Sequence, residues 1–246
     1  MGVLSGKGAL VTGGSRGIGR AIVERLARDG ASVTFSYQQD AAAAQATVAS
    51  VTAAGSAAWA LQCDLADAAA IRRLFDAAEA NAPGLDIVVN NAGVGTVSLI
   101  ADTKDEDFDW VMGVNIKGTF VALREAARRV RDGGRVINIS TLNTVMQGSG
   151  QSLYAASKGA VEQLTVVAAH ELGPRQITVN TVSPGATDTE MLRALNTEES
   201  LVEVAALTPL GRLGEPADVA DVVAFLAGPD GRWITGQNLR AGGGLR

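Results

Sequence analysis

Short apolar runs alternate with longer, Ala-rich runs along the whole chain. The short runs are rich in β-branched residues, as buried parallel strands are. They cover residues 7–12, 32–37, 57–62, 85–90, 135–140, 176–182 and 237–240. The longer runs predict helices over residues 17–29, 41–54, 67–80, 104–131, 151–172 and 216–227. This repetition, without a linker, predicts one doubly wound α/β domain over residues 1–246, with a mostly parallel seven-stranded sheet and helices on both faces.

One stretch, residues 188–213, interrupts the alternation. Helical fragments and the sequence TPLGRLGEP replace a plain crossover there. A segment of this length within a compact domain is usually functional, so we expect a mobile lid over the substrate. Elsewhere the helix ends agree with the pattern, because Asp40 and Asp67 occupy N-cap positions. Glycines also stand where helices should stop, at Gly30, Gly55 and Gly173.

Composition and charge narrow the classes of function. The net charge of -5 and the pI near 5.0 leave no basic footprint for nucleic acid or an anionic membrane. The single cysteine, Cys63, excludes an internal disulfide, and the single histidine, His170, leaves no histidine-rich metal site. His170 lies late in a helical run, where a packed or surface position is expected. No secretory signal is evident and no run reaches ~18 apolar residues, so we expect a cytoplasmic protein.

The turn after the first predicted strand is rich in glycine and reads TGGSRGIG. Glycines between a strand and a helix let the backbone approach a pyrophosphate and point the helix N-terminus at it. The spacing, G-x3-G-x-G, differs from the general G-x-G-x-x-G fingerprint. In this strand, turn and helix context we predict a dinucleotide site. The residues expected to contact the dinucleotide are Gly13, Ser15, Arg16, Gly17, Ile18 and Gly19.

The end of the second strand indicates which dinucleotide is preferred. An NAD site usually places an acid there for the ribose 2′-hydroxyl, whereas an NADP site omits it and adds a cation. Here the strand ends in Ser36 and Tyr37, Arg16 supplies a cation, and Asp40 is better placed for a helix cap. We therefore predict a preference for NADP(H), with NAD(H) as the alternative. Further cofactor contacts are expected at Ser36, Tyr37, Asp64, Leu65, Asn91, Ala92 and Gly93.

A tyrosine and a lysine, Tyr154 and Lys158, stand four residues apart at the start of a predicted helix. At this spacing both side chains lie on one helix face. A phenol with a pKa of about 10 exchanges protons poorly at neutral pH, and we expect the neighbouring ammonium to lower the pKa of Tyr154. Such a pair alone is usually a solvated helix face. The dinucleotide signature upstream makes it a candidate acid and base.

Five motifs in order carry a resemblance to a known family: TGGSRGIG, NNAG, Asn115, YAASK and SPGATDTEM from Ser183. Over essentially its whole length the chain resembles the short-chain dehydrogenase/reductase family, whose members are oxidoreductases with a Rossmann-type fold. Within that family it looks most like the 3-oxoacyl-(acyl-carrier-protein) reductase type, because PLGRLGEPADVADVVAFLA and ITGQ occur near the C-terminus.

The resemblance implies a role for each motif. Tyr154 would protonate the oxygen of a carbonyl substrate while nicotinamide delivers hydride, and Lys158 would hold the nicotinamide ribose. Asn115 would hold a water that relays protons to Lys158. The segment after the sixth strand would surround the nicotinamide with Pro184, Gly185, Thr187 and Thr189. The resemblance also implies a homotetramer, formed through the helices predicted at 104–131 and 151–172.

The chain departs from the family pattern at two places. Counting back from Tyr154, the substrate-polarising serine of the family falls on Thr141, directly after Ser140. Threonine offers the same donor and acceptor, so we predict that Thr141 bonds the substrate oxygen, with Ser140 as the runner-up. Near the C-terminus, Gly242 replaces the aspartate of an Asp-Gly-Gly motif. We expect the tail to be more mobile or held differently.

No motif specifies the substrate. The residues expected to line its pocket are apolar, which favours an apolar ketone or a 3-oxoacyl thioester. They are Val94, Leu142, Met146, Leu153, Met191 and Leu195. Arg131 and Arg175 would attract an acidic acyl carrier protein, although arginines beside loops are more often simply solvated.

Two other classes of function compete with an NADP(H)-dependent carbonyl reductase or alcohol dehydrogenase. A nucleotide-sensing or interaction protein would keep the fold and lose the chemistry, but Asn115, Tyr154 and Lys158 are all present. A Rossmann-like methyltransferase predicts an acid after the second strand and no Tyr/Lys pair, so both observations disfavour it.

Overall fold

The computed structural model describes residues 2–146 and 148–245. The residues predicted to form strands do so, because short β-branched runs pack well between two helical layers. The strands are β1 (Gly8–Val11), β2 (Ser32–Tyr37), β3 (Ala58–Gln62), β4 (Ile87–Asn90), β5 (Arg135–Ile139), β6 (Thr178–Pro184) and β7 (Asn238–Ala241). Each boundary lies within two residues of the predicted one.

The strands form one parallel sheet in the order β3-β2-β1-β4-β5-β6-β7. This confirms the predicted seven-stranded, doubly wound Rossmann-type sheet. The order reverses between β1 and β4, which are neighbours in the sheet although two strands separate them in sequence. In such folds ligands bind at the carboxyl edge next to this reversal.

Helices cover both faces of the sheet. They are α1 (Gly17–Arg28), α2 (Ala41–Ala53), α3 (Ala68–Ala80), α4 (Asp105–Met112), α5 (Thr119–Arg129), α6 (Ser152–Leu172), α7 (Glu190–Leu195), α8 (Glu198–Leu207) and α9 (Pro216–Ala227). One hydrophobic core lies under α1, α2 and α9, and a second lies under α3, α5 and α6. Within the described residues, no helix is long and apolar enough to cross a membrane.

One predicted helix differs from the structure. Residues 104–131 were predicted to form a continuous helix, but a π-helical segment, Gly113–Gly118, separates α4 from α5. A π-helical turn adds a residue to the turn, so apolar periodicity does not reveal it. The predicted helix caps agree with the structure: Asp40 accepts a hydrogen bond from the backbone N–H of Ala43 at 2.8 Å, and Asp67 from that of Ala69 at 2.8 Å.

Candidate active site

The Gly-rich turn joins β1 to α1 at the edge where the strand order reverses. Gly13 and Gly17 have φ angles of 70° and 54°, in the left-handed region that favours glycine. A Cβ on Gly19 would overlap the carbonyl oxygen of Gly13. No side-chain cap from Arg16 occupies the N-terminus of α1. The first backbone N–H groups of α1 are therefore open to an anion such as a pyrophosphate.

Three polar side chains fix this turn to the neighbouring strands. The Thr12 hydroxyl accepts hydrogen bonds from the backbone N–H groups of Asn91 and Ala92, each at 3.0 Å. The Asn91 amide donates to the carbonyl oxygens of Thr12 and Gly13 at 2.9 and 3.1 Å. The Ser36 hydroxyl accepts from the backbone N–H of Gly13 at 3.0 Å. Asn91 and Ser36, which were expected to contact the cofactor, thus shape the turn that would hold it.

The other residues predicted to contact the cofactor all lie along the carboxyl edge of the sheet. They are Ser15 and Ile18 after β1, Tyr37 at the end of β2, Asp64 and Leu65 after β3, Ala92 and Gly93 after β4, and Pro184, Gly185, Thr187 and Thr189 at or after the end of β6. The structure therefore brings the predicted set to one edge, beside the reversal of strand order.

The cation of the Gly-rich turn faces the segment after β6. Arg16 is exposed, and its guanidinium lies 3.2 Å from the carboxylate of Glu190, the first residue of α7. Asp40 caps α2 through its carboxylate, as predicted. The exposed cation of the turn is thus paired with the first residue of α7.

Tyr154 and Lys158 lie in the first two turns of α6. Lys158 is only 4% exposed, and its Nζ donates to the carbonyl oxygen of Ile139 at 2.8 Å. The same Nζ lies 5.9 Å from the centre of the Tyr154 ring. A Cβ on Gly93 would come within 2.9 Å of Nζ, so the loop after β4 packs directly against the lysine. The two side chains are neighbours, as the helical spacing predicted.

Burial shifts the pKa values of both groups. It lowers the pKa of Lys158 to about 8, because the ammonium loses its hydration. It raises the pKa of Tyr154, and an interaction with the Thr141 side chain opposes this shift by a smaller amount. The expectation that Lys158 sets a lowered pKa for Tyr154 is therefore wrong in this structure. Helical spacing shows that two side chains are close, but it does not show that the phenol is buried.

The two hydroxyl residues after β5 have different neighbours. Ser140 is buried and donates from Oγ to the carboxylate of Glu162 at 2.7 Å. Thr141 caps the 3₁₀ turn Leu142–Thr144 by accepting from the backbone N–H of Asn143 at 3.2 Å, and its side chain interacts with Tyr154. This arrangement favours Thr141 over Ser140 as the hydroxyl that acts beside the phenol.

Asn115 lies in the π-helical segment and connects two parts of the site. Its Oδ1 accepts from the backbone N–H of Val94 at 2.8 Å, and its Nδ2 donates to the Val94 carbonyl oxygen at 2.8 Å. Nδ2 also donates to the Ser157 hydroxyl at 2.9 Å, which in turn donates to the carbonyl oxygen of Tyr154 at 2.8 Å. Asn115 therefore ties the loop after β4 to the helix of Tyr154. Sequence reasoning missed Ser157, although it lies within YAASK.

The interrupted stretch 188–213 forms α7 and α8, and its two ends meet. The backbone N–H of Asp188 donates to the carbonyl oxygen of Gly214 at 2.7 Å. The backbone N–H of Gly214 donates to the carbonyl oxygen of Ala186 at 2.9 Å. Met191 and Leu195 on α7 are 48% and 55% exposed. The stretch is thus a helical insertion whose two ends are hydrogen-bonded to each other and whose apolar side chains on α7 are about half exposed.

The predicted pocket residues fall into three groups. Met191 and Leu195 are about half exposed on α7, whereas Val94, Met146 and Leu153 are partly buried. Leu142 is 2% exposed and packs where a Cβ on Gly242 would stand. Leu142 thus packs against the C-terminal tail and presents almost no surface to a ligand.

The C-terminal tail is held in place without the missing aspartate. The backbone N–H of Leu210 donates to the carbonyl oxygen of Gly243 at 3.2 Å, and that of Gly185 donates to Ala241 at 3.0 Å. The tail therefore joins the end of the 188–213 stretch to the end of β6. Of the two expectations for this departure, a differently held tail agrees with the structure.

The two arginines expected to attract a carrier protein lie at the other edge of the sheet. Arg131 and Arg175 precede β5 and β6, at the amino ends of these strands. Arg131 pairs with the buried Asp86 at 2.5 Å, and Arg175 pairs with Asp132 at 2.8 Å. Their position opposite the site and their engagement with aspartates do not fit recruitment of an acidic partner to the active site.

Comparisons with known proteins extend over nearly the whole chain. A family model described as enoyl-(acyl carrier protein) reductase matches residues 13–246. An uncharacterised oxidoreductase of Methylorubrum extorquens is 42% identical over 248 residues, which cover 100% of each chain. An NADPH-dependent aldehyde reductase-like chloroplastic protein of Arabidopsis thaliana is 40% identical, with coverage of 98% of this chain and 94% of that protein. A crystal structure of a short chain dehydrogenase from Burkholderia cenocepacia J2315 in complex with NADP is 44% identical, covers 98% of both chains and has a TM-score of 0.94.

Proposed function

This chain belongs to the short-chain dehydrogenase/reductase family of oxidoreductases, and on that premise we propose that it transfers hydride between NADP(H) and a carbonyl compound or secondary alcohol. One observation carries the proposal. The Thr141 side chain interacts with Tyr154, and the buried Nζ of Lys158 lies 5.9 Å from the Tyr154 ring centre, beside a Gly-rich turn that a dinucleotide would occupy.

The residues present fit a dinucleotide on two counts. Gly13, Gly17 and Gly19 leave a backbone surface without side chains, and the N-terminus of α1 carries no side-chain cap. Arg16 supports the NADP form, because a guanidinium gains most from the additional phosphate. The NADP complex of the Burkholderia relative and the NADPH-dependent name of the Arabidopsis relative point the same way. When bound, the nicotinamide supplies or accepts the hydride.

The chain's own residues supply the proton and the orientation. Because burial raises the pKa of Tyr154, its Oη keeps its proton at neutral pH and can give it to the substrate oxygen as the carbonyl is reduced. The Thr141 hydroxyl, next to the phenol, would hold the same substrate oxygen. Lys158, whose pKa is lowered to about 8, remains mostly protonated at neutral pH and would donate to the ribose hydroxyls.

Asn115 would act by shaping the site and by holding a relay water. Its amide already bonds the Val94 backbone and Ser157, so the position of the loop after β4 relative to Tyr154 is fixed. The water that the family resemblance assigns to Asn115 would then connect Lys158 to solvent. The π-helical geometry at this position supports a functional role, because such bulges frequently occur at functional sites.

The substrate proposal rests on the stretch 188–213, which would act as a lid. Its two ends are hydrogen-bonded to each other at Gly214, and two apolar side chains of α7, Met191 and Leu195, are about half exposed. An apolar ketone would cover Met191 and Leu195 on binding. A 3-oxoacyl thioester, delivered free or on an acyl carrier protein, is the second candidate, since the family model carries an acyl-carrier-protein description.

A turnover panel tests these proposals. The enzyme is assayed with NADPH and, in turn, an activated apolar ketone, a soluble 3-oxoacyl thioester and a carrier-bound 3-oxoacyl group. Turnover of the ketone and thioester at similar kcat/KM supports a broad carbonyl reductase, and a large preference for the carrier-bound substrate supports the carrier type. Binding of NADPH with no turnover of any carbonyl compound would instead support a nucleotide-sensing protein.

We also propose that the protein is a cytoplasmic homotetramer, joined through the helices between residues 104 and 131 (α4 and α5) and through α6. The outer face of α6 is partly apolar, with Val166 and Val167 at 39% and 55% exposed. On α5, Phe120 is 50% exposed. Apolar helix faces of this kind are commonly covered by a symmetric copy of the same chain.

A further inference from the structure

Glu162 lies one helical turn after Lys158, and its carboxylate accepts hydrogen bonds from hydroxyls on either side of Thr141 in sequence. Its Oε1 accepts from Ser140 Oγ at 2.7 Å and from Thr144 Oγ1 at 2.8 Å. Ser140 is 3% exposed and Glu162 is partly buried, so bulk water competes little for these bonds. Hydrogen bonds to a carboxylate are shorter and stronger than neutral ones, which agrees with both distances.

The two hydroxyls lie on either side of Thr141 in sequence. Ser140 ends the run out of β5, and Thr144 ends the 3₁₀ turn that Thr141 caps. Holding both ends of this short turn fixes the hydroxyl between them. Since Glu162 belongs to the same helix as Tyr154, its carboxylate sets the position of the Thr141 hydroxyl relative to the phenol.

We infer that Glu162 is a positioning residue of this enzyme, acting on catalysis through Thr141 and not on the substrate itself. This inference rests on the proposed reduction of a carbonyl compound. A displacement of about 1 Å at a reacting group can cost about 100-fold in rate. Loss of the carboxylate should therefore lower kcat, while dinucleotide binding at the Gly-rich turn stays as it was.

The test compares Glu162→Ala with Glu162→Gln, which keeps an acceptor oxygen at the same place. We expect kcat to fall roughly 10- to 100-fold in Glu162→Ala and to stay within about threefold of wild type in Glu162→Gln, with the dissociation constant for NADPH unchanged in both. Glu171→Ala, at an exposed glutamate of the same helix, is the control and should match wild type. Circular dichroism is used to check that each variant is folded.

A second arm separates positioning from general damage. In a Thr141→Val background, Glu162→Ala should have little further effect, because the hydroxyl it positions is gone. Equal losses with and without Thr141, or an unchanged kcat in folded Glu162→Ala, would overturn the inference. If Glu162→Ala does not fold, Thr144→Val removes one of the hydroxyl donors to Glu162 and is judged by the same comparison. Absence of turnover in the wild-type enzyme would count against the proposed function instead.

A separate observation concerns Arg16 and the first turn of α7. The Arg16 guanidinium lies 3.2 Å from Glu190, which follows Thr189 at the start of the lid. The turn and the lid are close here, since a Cβ on Gly17 would lie 3.3 Å from Thr189 Cγ2. The cation that would bind the additional phosphate of NADP(H) therefore already has an anionic partner on the lid.

We also propose that Glu190 competes with that phosphate for Arg16 and so reduces the preference for NADPH over NADH. Both partners are exposed, at 64% and 72%, and exposed ion pairs contribute little. Removing the competitor should tighten NADPH binding by about two- to fivefold and leave NADH binding nearly unchanged. This proposal rests on the assignment of Arg16 to the phosphate.

Titration of cofactor fluorescence with Glu190→Gln tests it without turnover. The control is Glu198→Gln, which removes the same charge from a lid glutamate that pairs with Arg193 at 3.1 Å. Tightening of NADPH alone in Glu190→Gln, absent in Glu198→Gln and absent again when Arg16→Ala is added, is the expected result. Equal tightening of NADPH and NADH, or no tightening, would overturn the competition. A wild-type protein that binds neither dinucleotide would refute the proposed function itself.

Discussion

Replacing Lys158 by methionine should change how the stability of the protein depends on pH. Burial lowers the pKa of Lys158 from 10.5 to about 8. Below the folded-state value the ammonium is charged in both states, and the folded state carries the full cost of its burial. As the pH rises through the folded pKa, the folded protein loses the proton while the unfolded chain keeps it, so stability increases up to the unfolded pKa.

The size of the effect follows from the two pKa values. Each pKa unit between the folded and unfolded states corresponds to about 1.4 kcal/mol, so the total gain in unfolding free energy across the two pKa values is about 3 kcal/mol. Between about pH 7 and about pH 9.5, the unfolding free energy of wild type should rise by about 2 kcal/mol relative to Lys158→Met. Burial raises the pKa of Tyr154, which has the opposite sign, but the unfolded phenol ionises only near pH ~10.

Urea unfolding at the two pH values measures this difference. Lys117→Met is the control, because Lys117 is exposed and its charge is hydrated in both states. We expect the control to follow wild type and Lys158→Met to lose the pH-dependent rise, together with most of its turnover. If wild type and Lys158→Met keep the same stability difference at both pH values, the lysine is not buried as an ammonium and the reasoning fails.

Three further predictions concern chemistry, cofactor choice and assembly. Thr141→Val should lower kcat by about 100-fold or more, as loss of a donor to a reacting oxygen does. Ser140→Ala should lower kcat by at most about tenfold, because Ser140 acts through Glu162. Steady-state kinetics that show the reverse ranking would exchange the roles of the two residues. Arg16→Ala should weaken NADPH binding much more than NADH binding in a fluorescence titration. Equal weakening of both would show that Arg16 only shapes the turn. Light scattering at micromolar concentration should show a tetramer, and a fully active monomer would contradict the proposed assembly.

Most of the fold followed from the alternation of apolar and Ala-rich runs. A parallel strand buried on both faces gives a continuous apolar run, so its position is visible in the sequence, and its ends moved by no more than two residues. The break between α4 and α5 was not visible. Asn115 lies in this π-helical segment, and its amide bonds the Val94 backbone, which is 21 residues away in sequence.

Site residues that belong to sequence motifs could be predicted, whereas properties that depend on tertiary contacts could not. Tyr154 and Lys158 followed from spacing, but their pKa shifts depend on burial, which the spacing does not contain. Glu162 had one weak signal, its place one turn after Lys158, and its role became evident only from the two hydroxyls that reach it from another loop. The ion pair of Arg131 was not visible in the sequence, because its partner, Asp86, lies 45 residues away.

The central claim is that Tyr154 donates the proton during NADPH-dependent reduction of a carbonyl compound. Its most direct test follows NADPH oxidation with an activated apolar ketone in wild type and in Tyr154→Phe, with NADPH affinity measured for both. Loss of the hydroxyl should remove most of the turnover, while NADPH affinity stays within about twofold, because the ring and the cofactor site remain. A folded Tyr154→Phe variant that keeps near wild-type kcat would contradict the claim.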